Sequence, residues 1–272
     1  STSDSSGALL SRVKLTNNKE GFDIILGIDD SLISEAKDAK LFSNHSLSKN
    51  SLNSLNIDWS DKIFVPFDYG YFSFIYNSSN LKNPPKSFDE LAARDDIRII
   101  ITDPRTSTPG LGLAKWIYQL KGDDSKSFWT SLQDQIVITS KSWSDGYGLF
   151  LEGEGDIVLS YSTSPAYHAI AESDESYKAA LFQEGHAEQI EVMGILKNAP
   201  NKKLAEKFLS FALSKEFQKH IPFGNWMYPV IDGIEGTSDF YKYAPTPIPL
   251  ERVYGSIEDK NSWIEYWSSS IE

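Results

Sequence analysis

The chain has 272 residues, of which 40% are hydrophobic and 24% are charged, and this is the composition of a folded globular protein. The length suits two domains of modest size. Acidic residues outnumber basic ones by 38 to 26, so the net charge is −12. That charge argues against a nucleic-acid partner and favours cations near a cleft.

Two classes of feature are missing from the sequence. No apolar run approaches the roughly 20 residues that a bilayer-spanning helix needs, so we expect no membrane span. The chain has no cysteine, which removes thiol catalysis, thiolate metal sites and disulfides. It begins at Ser1 without a Met and shows no signal peptide, so we interpret it as a processed or trimmed product.

The order of elements predicts an α/β protein with mostly parallel strands. Short apolar runs predict buried strands at residues 22–28, 63–67, 71–76, 97–101, 136–138 and 157–159. Residues 1–7 and 68–70 are predicted to be connections. Helical spacing is found at residues 8–13, 87–94, 111–120 and 166–171, after Pro200, and at the aromatic C-terminal end.

Three junctions between a strand and a helix share one composition. Residues 105–110, 142–146 and 161–165 each place small hydroxyl side chains where a helix begins. Free backbone N–H groups and the helix dipole make such a position favourable for anions. Capping alone explains one junction. Three of them at the C-terminal ends of strands favour a shared ligand cleft.

Aromatic residues occur near the same junctions and in a Gly- and Pro-containing loop. They are Trp143, Tyr161, Tyr167, Trp226 and Tyr228. Flat rings stack on planar heterocycles, and their faces attract cations. The alternative is that these rings only fill the space between two domains.

The sequence gives little support for catalysis. The four histidines lack metal-ligand spacing, and each is more simply explained as a surface or satisfied core residue. No serine-hydrolase elbow and no phosphate-binding loop is present. Four aspartates are candidate carboxylates, although no pair is set by its spacing: Asp29, Asp30, Asp68 and Asp103.

Five segments resemble the thiamine-binding periplasmic proteins of bacterial ABC transporters. They are VPFDYGYF at 65–72, DPRTSTPGLGL at 103–113, YGLF at 147–150, LSYSTSPAYH at 159–168 and GNWMYPV at 224–230. The resemblance covers nearly all of the chain. It implies a two-lobed periplasmic binding protein of type II with its ligand cleft between the lobes. The implied lobes are residues 1–75 with 190–222, and residues 76–189 with 223–272.

The resemblance also implies a function and a set of contacts. The protein would bind thiamine, its monophosphate or its pyrophosphate in the periplasm of a Gram-negative bacterium and deliver it to a membrane permease. It would use no cofactor, no metal and no covalent chemistry. The implied ligand contacts are Ser107, Thr108, Trp143, Tyr161, Ser162, Thr163, Ser164, Pro165, Tyr167 and Trp226, with Ser5 and Ser6 as weaker ones.

The sequence departs from the family in two places, and two alternatives stay open. The family carries a strand and a helix before the position of Ser1, and its early Asp-Gly pair falls on Ser5 and Ser6. One alternative is a binding protein of the same fold for a ferric ion or a polyamine, although the Tyr-Tyr pair of the ferric branch is absent. The other is a thiamin-degrading enzyme, which commonly needs a Cys nucleophile that this chain lacks.

Overall fold

The computed structural model describes residues 5–253 and 255–271. The helices are α1 (Ser6–Thr16), α2 (Ile33–Asp38), α3 (Lys49–Asn53), α4 (Phe88–Ala92), α5 (Thr108–Lys121), α6 (Ser125–Leu132), α7 (Trp143–Leu151), α8 (Ser164–Ala171), α9 (Lys202–Ala212), α10 (Lys215–Gln218), α11 (Ile221–Gly224), α12 (Ser238–Tyr243) and α13 (Ile257–Ile271). The strands are β1 (Ile24–Asp29), β2 (Phe64–Asn77), β3 (Ile99–Thr102), β4 (Ile136–Ser140), β5 (Ile157–Tyr161), β6 (Tyr177–Ala180), β7 (Glu188–Ile195) and β8 (Tyr228–Pro229).

The described chain divides into two compact units. The first contains the described residues up to Gly70 together with Gln189–Phe240, and the second contains Tyr71–Glu188 together with the described residues from Tyr241 onwards. These boundaries correct two predicted ones. Residues 71–75 belong to the second unit because β2 pairs there with β5 and β6. Residues 223–240 belong to the first unit because β8 pairs with the first half of β2.

The first unit is built on β1, β7 and the first half of β2. Strands β1 and β7 are antiparallel, β7 neighbours β2, and β8 pairs with Asp68 and Tyr69. Helix α1 contributes the buried Leu10 and Val13 to a core that also contains Phe64. The sequence predicted a connection at residues 68–70, but the strand continues through them because β8 pairs with it there.

The second unit contains a mixed sheet. The second half of β2 is antiparallel to β5 and β6, whereas β3 is parallel to β4 and β5. The expectation of mostly parallel strands is therefore wrong, since every pairing printed for β2 is antiparallel. Phe74, Phe88, Trp116 and Phe182 form the aromatic centre of this core.

Most predicted elements agree with the structure, with shifted ends. Ser87 caps α4 by accepting a hydrogen bond from the Glu90 N–H, as its capping pattern predicts. The helix predicted after Pro200 begins at Lys202, and Ser6 lies in α1 although it was predicted to be in a loop.

Among the described residues, no helix combines the length and the apolar character that crossing a membrane requires.

Candidate functional site

Helix α5 begins with a hydroxyl that does not cap it. Ser107 occupies the N-cap position, but its side chain makes no capping hydrogen bond. The residue is 6% exposed, and its Oγ has no hydrogen-bond partner among the described residues. A buried hydroxyl without a partner is costly, so capping does not account for Ser107. Thr108 follows as the first helical residue and is half-buried.

Two glycines bring the start of α5 against the sheet. A Cβ on Gly110 would lie 2.3 Å from the Thr102 carbonyl oxygen. A Cβ on Gly112 would lie 2.1 Å from the Phe72 ring. Only glycine permits these approaches, and the short DPRTSTPGLGL segment thereby sets where Ser107 lies relative to β3.

A guanidinium lies next to this helix start. Arg105 Nη2 lies 2.6 Å from Asp103 Oδ2, and its Cζ lies 5.0 Å from the centre of the Trp267 ring. Burial would raise the pKa of Asp103, but the hydrogen bonds from Arg105 outweigh it and hold the pKa below its usual value. The Asp103 carboxyl therefore stays ionised and orients Arg105.

Helix α7 presents a partly exposed indole. Ser142 caps the helix by accepting from the Asp145 N–H at 3.1 Å, so its hydroxyl has a structural role. Trp143 is 40% exposed, and its Nε1 donates to Ser160 Oγ at 2.8 Å. The ring of Tyr147 packs 5.2 Å away between centroids. One edge of the indole is thus held while much of the ring remains accessible.

The predicted run 161–165 joins β5 to α8. Tyr161 is half-buried and packs on Phe72 with centroids 5.4 Å apart. Ser162 is buried, and its N–H donates to the Tyr71 carbonyl. Thr163 is the N-cap of α8 but makes no side-chain capping bond.

Helix α8 supplies three more predicted contacts. Ser164 Oγ lies 2.8 Å from Ser160 Oγ. Pro165 is buried in the first turn, and Tyr167 is 39% exposed. The structure therefore brings Trp143 and Ser164 onto the same Ser160 side chain.

Sequence reasoning missed the residues behind this cluster. His168 is 0% exposed, and its Nε2 lies 2.8 Å from Tyr147 Oη while its Nδ1 lies 2.6 Å from Glu172 Oε2. Tyr177 stacks on the imidazole at 4.0 Å between centroids. Burial raises the pKa of the Tyr147 hydroxyl well above its usual value. The i, i+4 spacing of His168 and Glu172 on a helix was the signal available in the sequence.

In the first unit, Trp226 has an unusual backbone. Its φ of 56° lies in the left-handed region, which non-glycine residues adopt at some cost. The preceding Asn225 donates from Nδ2 to Asp68 Oδ2 at 2.6 Å and to Glu191 Oε2 at 3.1 Å. The following strand β8 packs Tyr228 on Tyr69, with centroids 5.3 Å apart. These contacts fix the chain on both sides of Trp226.

Asp68 and Glu191 have perturbed acidities. Burial raises the pKa of Asp68, and the nearby Glu191 charge raises it further. Burial also raises the pKa of Glu191, and the charge of Asp29 adds to that effect. The two carboxyls therefore keep a proton to higher pH than isolated carboxyls do. The sequence named Asp68 as a candidate but gave no sign of Glu191.

The other predicted residues of the first unit have structural partners. Ser5 accepts a hydrogen bond from the Ala8 N–H and caps α1, and Ser6 Oγ donates to the Gly27 carbonyl at 2.7 Å. Asp30 Oδ1 accepts from the Ile190 N–H, while the carboxylate of Asp29 caps the next turn. In residues 5–253 and 255–271 no group of acidic and histidine side chains is arranged to hold a metal ion.

The predicted contacts are divided between the two units. Ser5, Ser6 and Trp226 lie in the first unit, and the other nine lie in the second.

Comparison with known proteins identifies the family. Residues 2–219 match the family of bacterial extracellular solute-binding proteins. The chain belongs to this family. It is 43% identical over 266 residues to the thiamine-binding periplasmic protein of Salmonella typhimurium, covering 97% of this chain and 81% of that protein. It is 41% identical to the thiamine-binding periplasmic protein of Escherichia coli, with the same coverages.

Solved structures of family members agree with the fold. A periplasmic thiamin binding protein superposes with a TM-score of 0.89 at 38% identity, covering 99% of this chain and 85% of that one. A ferric binding protein from Campylobacter jejuni superposes with a TM-score of 0.81 at 18% identity, covering 97% and 88%, which supports the fold alone. The resemblance predicted from the five segments and the α/β fold of type II solute-binding proteins are both confirmed.

Proposed function

We propose that this protein binds thiamine or one of its phosphate esters in the periplasm and delivers it to the permease of an ABC transporter. The observation that carries the proposal is 38–43% identity to six thiamine-binding periplasmic proteins over at least 96% of the chain. Such identity extends through the five segments that contain the predicted contacts. The ligand needs no cofactor under this proposal.

The accessible rings suit the two heterocycles of thiamine. Trp143 and Tyr167 are 40% and 39% exposed, and Trp226 is half-buried in a backbone held on both sides. The pyrimidine is a flat ring and the thiazolium a permanent cation, so both are attracted to aromatic faces. A net charge of −12 favours a cationic ligand over an anionic one at long range.

The start of α5 suits a polar end of the ligand. Ser107 Oγ is buried and has no partner among the described residues, at the first turn of a 14-residue helix. A ligand oxygen there would satisfy the hydroxyl and meet the positive end of the helix. Arg105 lies two residues before Ser107 and would add to the attraction if that oxygen belongs to a phosphate.

The proposal includes no turnover. The one tyrosine hydroxyl with a histidine partner, among the described residues, is Tyr147, and the high pKa caused by its burial makes it a poor nucleophile. The absence of cysteine removes the usual nucleophile of thiamin-degrading enzymes. We therefore assign binding and transport.

Isothermal titration calorimetry tests the ligand directly. We expect saturable 1:1 binding of thiamine, and titrations with its monophosphate and pyrophosphate rank the phosphorylation states. Ferric citrate and spermidine are the matched alternatives. Binding of either in place of thiamine would overturn the assignment.

Chromatography of thiamine incubated with the protein tests for turnover. We expect the vitamin to be recovered intact. Release of free pyrimidine or thiazole would support the enzyme alternative instead.

A further inference from the structure

A continuous series of hydrogen bonds runs through the second unit from Glu172 to Trp143. Glu172 Oε2 lies 2.6 Å from His168 Nδ1, and His168 Nε2 lies 2.8 Å from Tyr147 Oη. Tyr147 shares a hydrogen bond with Ser164. The series then continues through Ser160 as described next. We call these six residues, with Ser160 and Trp143, the relay.

The last two links of the relay join two hydroxyls and an indole. Ser164 Oγ lies 2.8 Å from Ser160 Oγ, and Trp143 Nε1 lies 2.8 Å from Ser160 Oγ. The relay therefore connects α8 to α7 across the end of β5. It joins two predicted ligand contacts, Ser164 and Trp143, to a carboxylate whose side chain is 44% exposed.

The chemistry of the two ends gives the relay one direction. The Glu172 carboxylate only accepts, so the neutral His168 carries its proton on Nδ1 and accepts at Nε2 from the Tyr147 hydroxyl. At the other end the indole N–H of Trp143 only donates. This tautomer follows from the hydrogen-bond network.

The direction fixes each serine between the ends. Tyr147 donates to His168, so its oxygen accepts from the Ser164 hydroxyl. Ser164 donates to Tyr147, so its oxygen accepts from the Ser160 hydroxyl, and Ser160 accepts from Trp143. Each hydroxyl donates once, and no proton is left over. A serine hydroxyl has one proton and two lone pairs, so Ser164 retains only a lone pair for a further partner.

We propose that Glu172 and His168 act through Tyr147 as positioning residues that hold Ser164 as a hydrogen-bond acceptor, so the ligand group at Ser164 is a donor. Ser164 is the member of the serine pair that a ligand can reach, because it retains 8% of its exposed surface whereas Ser160 retains 0%. The same relay holds the indole edge of Trp143 in place.

This proposal rests on the proposed function, and it narrows how the vitamin binds. Thiamine has two donor groups, the amine of its pyrimidine and the hydroxyl of its side chain. Two analogues separate them. Oxythiamine replaces the amine by a carbonyl, and thiamine monophosphate replaces the hydroxyl by a phosphate ester.

The substitution Tyr147→Phe removes the acceptor for the Ser164 proton, which frees the Ser164 hydroxyl to donate. The affinity of one of the two analogues relative to thiamine should then rise by about 3- to 10-fold, the effect of one neutral hydrogen bond. Oxythiamine responds if the amine lies at Ser164, and the monophosphate responds if the hydroxyl lies there. Glu172→Gln should shift the same ratio in the same direction by a smaller factor.

The matched control is Tyr177→Phe. Tyr177 stacks on His168 at 4.0 Å between centroids but lies outside the relay. Its variant should leave both ratios within about twofold of the parent value. Ratios unchanged in Tyr147→Phe, or moved equally in Tyr177→Phe, would overturn the proposal while the thiamine assignment stands.

A measurement without ligand decides the relay independently. The Trp143 indole N–H resonance, assigned through Trp143→Phe, should shift upfield and exchange faster with solvent in Tyr147→Phe, because Ser160 loses its ordered partner. It should stay unchanged in Tyr177→Phe. An indole resonance that is identical in the parent and in Tyr147→Phe would disprove the relay, whether or not thiamine binds. Failure of every protein to bind thiamine would overturn the proposed function instead.

Discussion

Asp68 on β2 and Glu191 on β7 accept hydrogen bonds from the same amide nitrogen, that of Asn225. Asp68 is 0% exposed, and its Oδ1 has no hydrogen-bond partner among the described residues. Two carboxylates that share one donor in a buried setting repel each other when both are ionised. Retention of a proton by the pair relieves this repulsion.

Asp68→Asn should therefore change how stability depends on pH. The folded-state pKa of Asp68 is raised, so its contribution to stability is complete below the unfolded pKa near 4 and is lost as pH rises through the folded pKa. The variant should lack this loss and gain roughly 1–3 kcal/mol on the parent between pH 5 and pH 8. Urea unfolding at several pH values measures the difference.

Asp61→Asn is the matched control in the same unit. Burial raises the pKa of Asp61, but hydrogen bonds from Lys37 and from the N–H groups of Phe64 and Ile63 outweigh it, so the pKa is lowered. Its contribution is present above the unfolded pKa and is lost as pH falls. Asp61→Asn should thus destabilise the protein at pH 7. Equal effects of the two variants at pH 7 would contradict the assignment of Asp68.

His186 should make the protein sensitive to acid. Its Nδ1 donates to the Phe72 carbonyl and its Nε2 accepts from the Phe182 N–H, both at 2.7 Å, so both nitrogens are satisfied in the neutral ring. Burial lowers the pKa of His186 to about 4. Stability from the neutral ring is complete above pH 6.5 and is lost as pH falls towards 4, by about 3 kcal/mol in all.

His186→Gln should flatten this part of the stability profile, although its absolute stability is lower because of lost packing. Thermal unfolding between pH 7 and pH 4 measures the slope. The exposed His220, substituted in the same way, should leave the slope unchanged. A parent-like slope in His186→Gln would show that other groups cause the acid sensitivity.

The accessible rings should contribute to thiamine affinity. Base stacking on an aromatic side chain is worth about 1–3 kcal/mol. Trp226→Ala and Tyr167→Ala should each weaken binding roughly tenfold or more in calorimetry. Tyr241→Ala removes a ring that is 44% exposed but is not among the predicted contacts, and it should bind thiamine normally. Unchanged affinity in both site variants would end the stacking assignment.

Local patterns predicted the elements well because the signals are local. The capping pattern at Ser87 and the apolar run of β3 needed only neighbouring residues. The direction of pairing did not follow, because β2 is antiparallel to β5 through contacts between distant residues. Sequence alone placed a break at residues 68–70, since Gly70 and the polar Asp68 hid a strand that β8 completes.

The same reasoning explains what the site analysis found and missed. Trp143, Ser164 and Tyr167 were named from composition and from the resemblance. The residues behind them were not, because Tyr147 and His168 meet only when α7 and α8 pack on the sheet. Glu191 was missed for the same reason, since its partner Asp68 lies on another strand.

Ser107 offers a test that separates ligand binding from helix capping. Its hydroxyl is buried, makes no capping bond and has no partner among the described residues. Ser107→Ala should therefore leave the free protein as stable as the parent or slightly more stable, because an unsatisfied hydroxyl is removed. If the hydroxyl binds the ligand, the variant should bind it about 3- to 10-fold more weakly.

Ser87→Ala is the matched control, because Ser87 does cap its helix by accepting from the Glu90 N–H at 3.0 Å. It should lower the free energy of unfolding by about 0.5–2 kcal/mol and leave thiamine affinity unchanged. Urea unfolding and calorimetry on the two variants give opposite patterns if the assignment is right. A Ser107→Ala variant that loses stability but keeps its affinity would show that Ser107 supports the helix and does not contact the ligand.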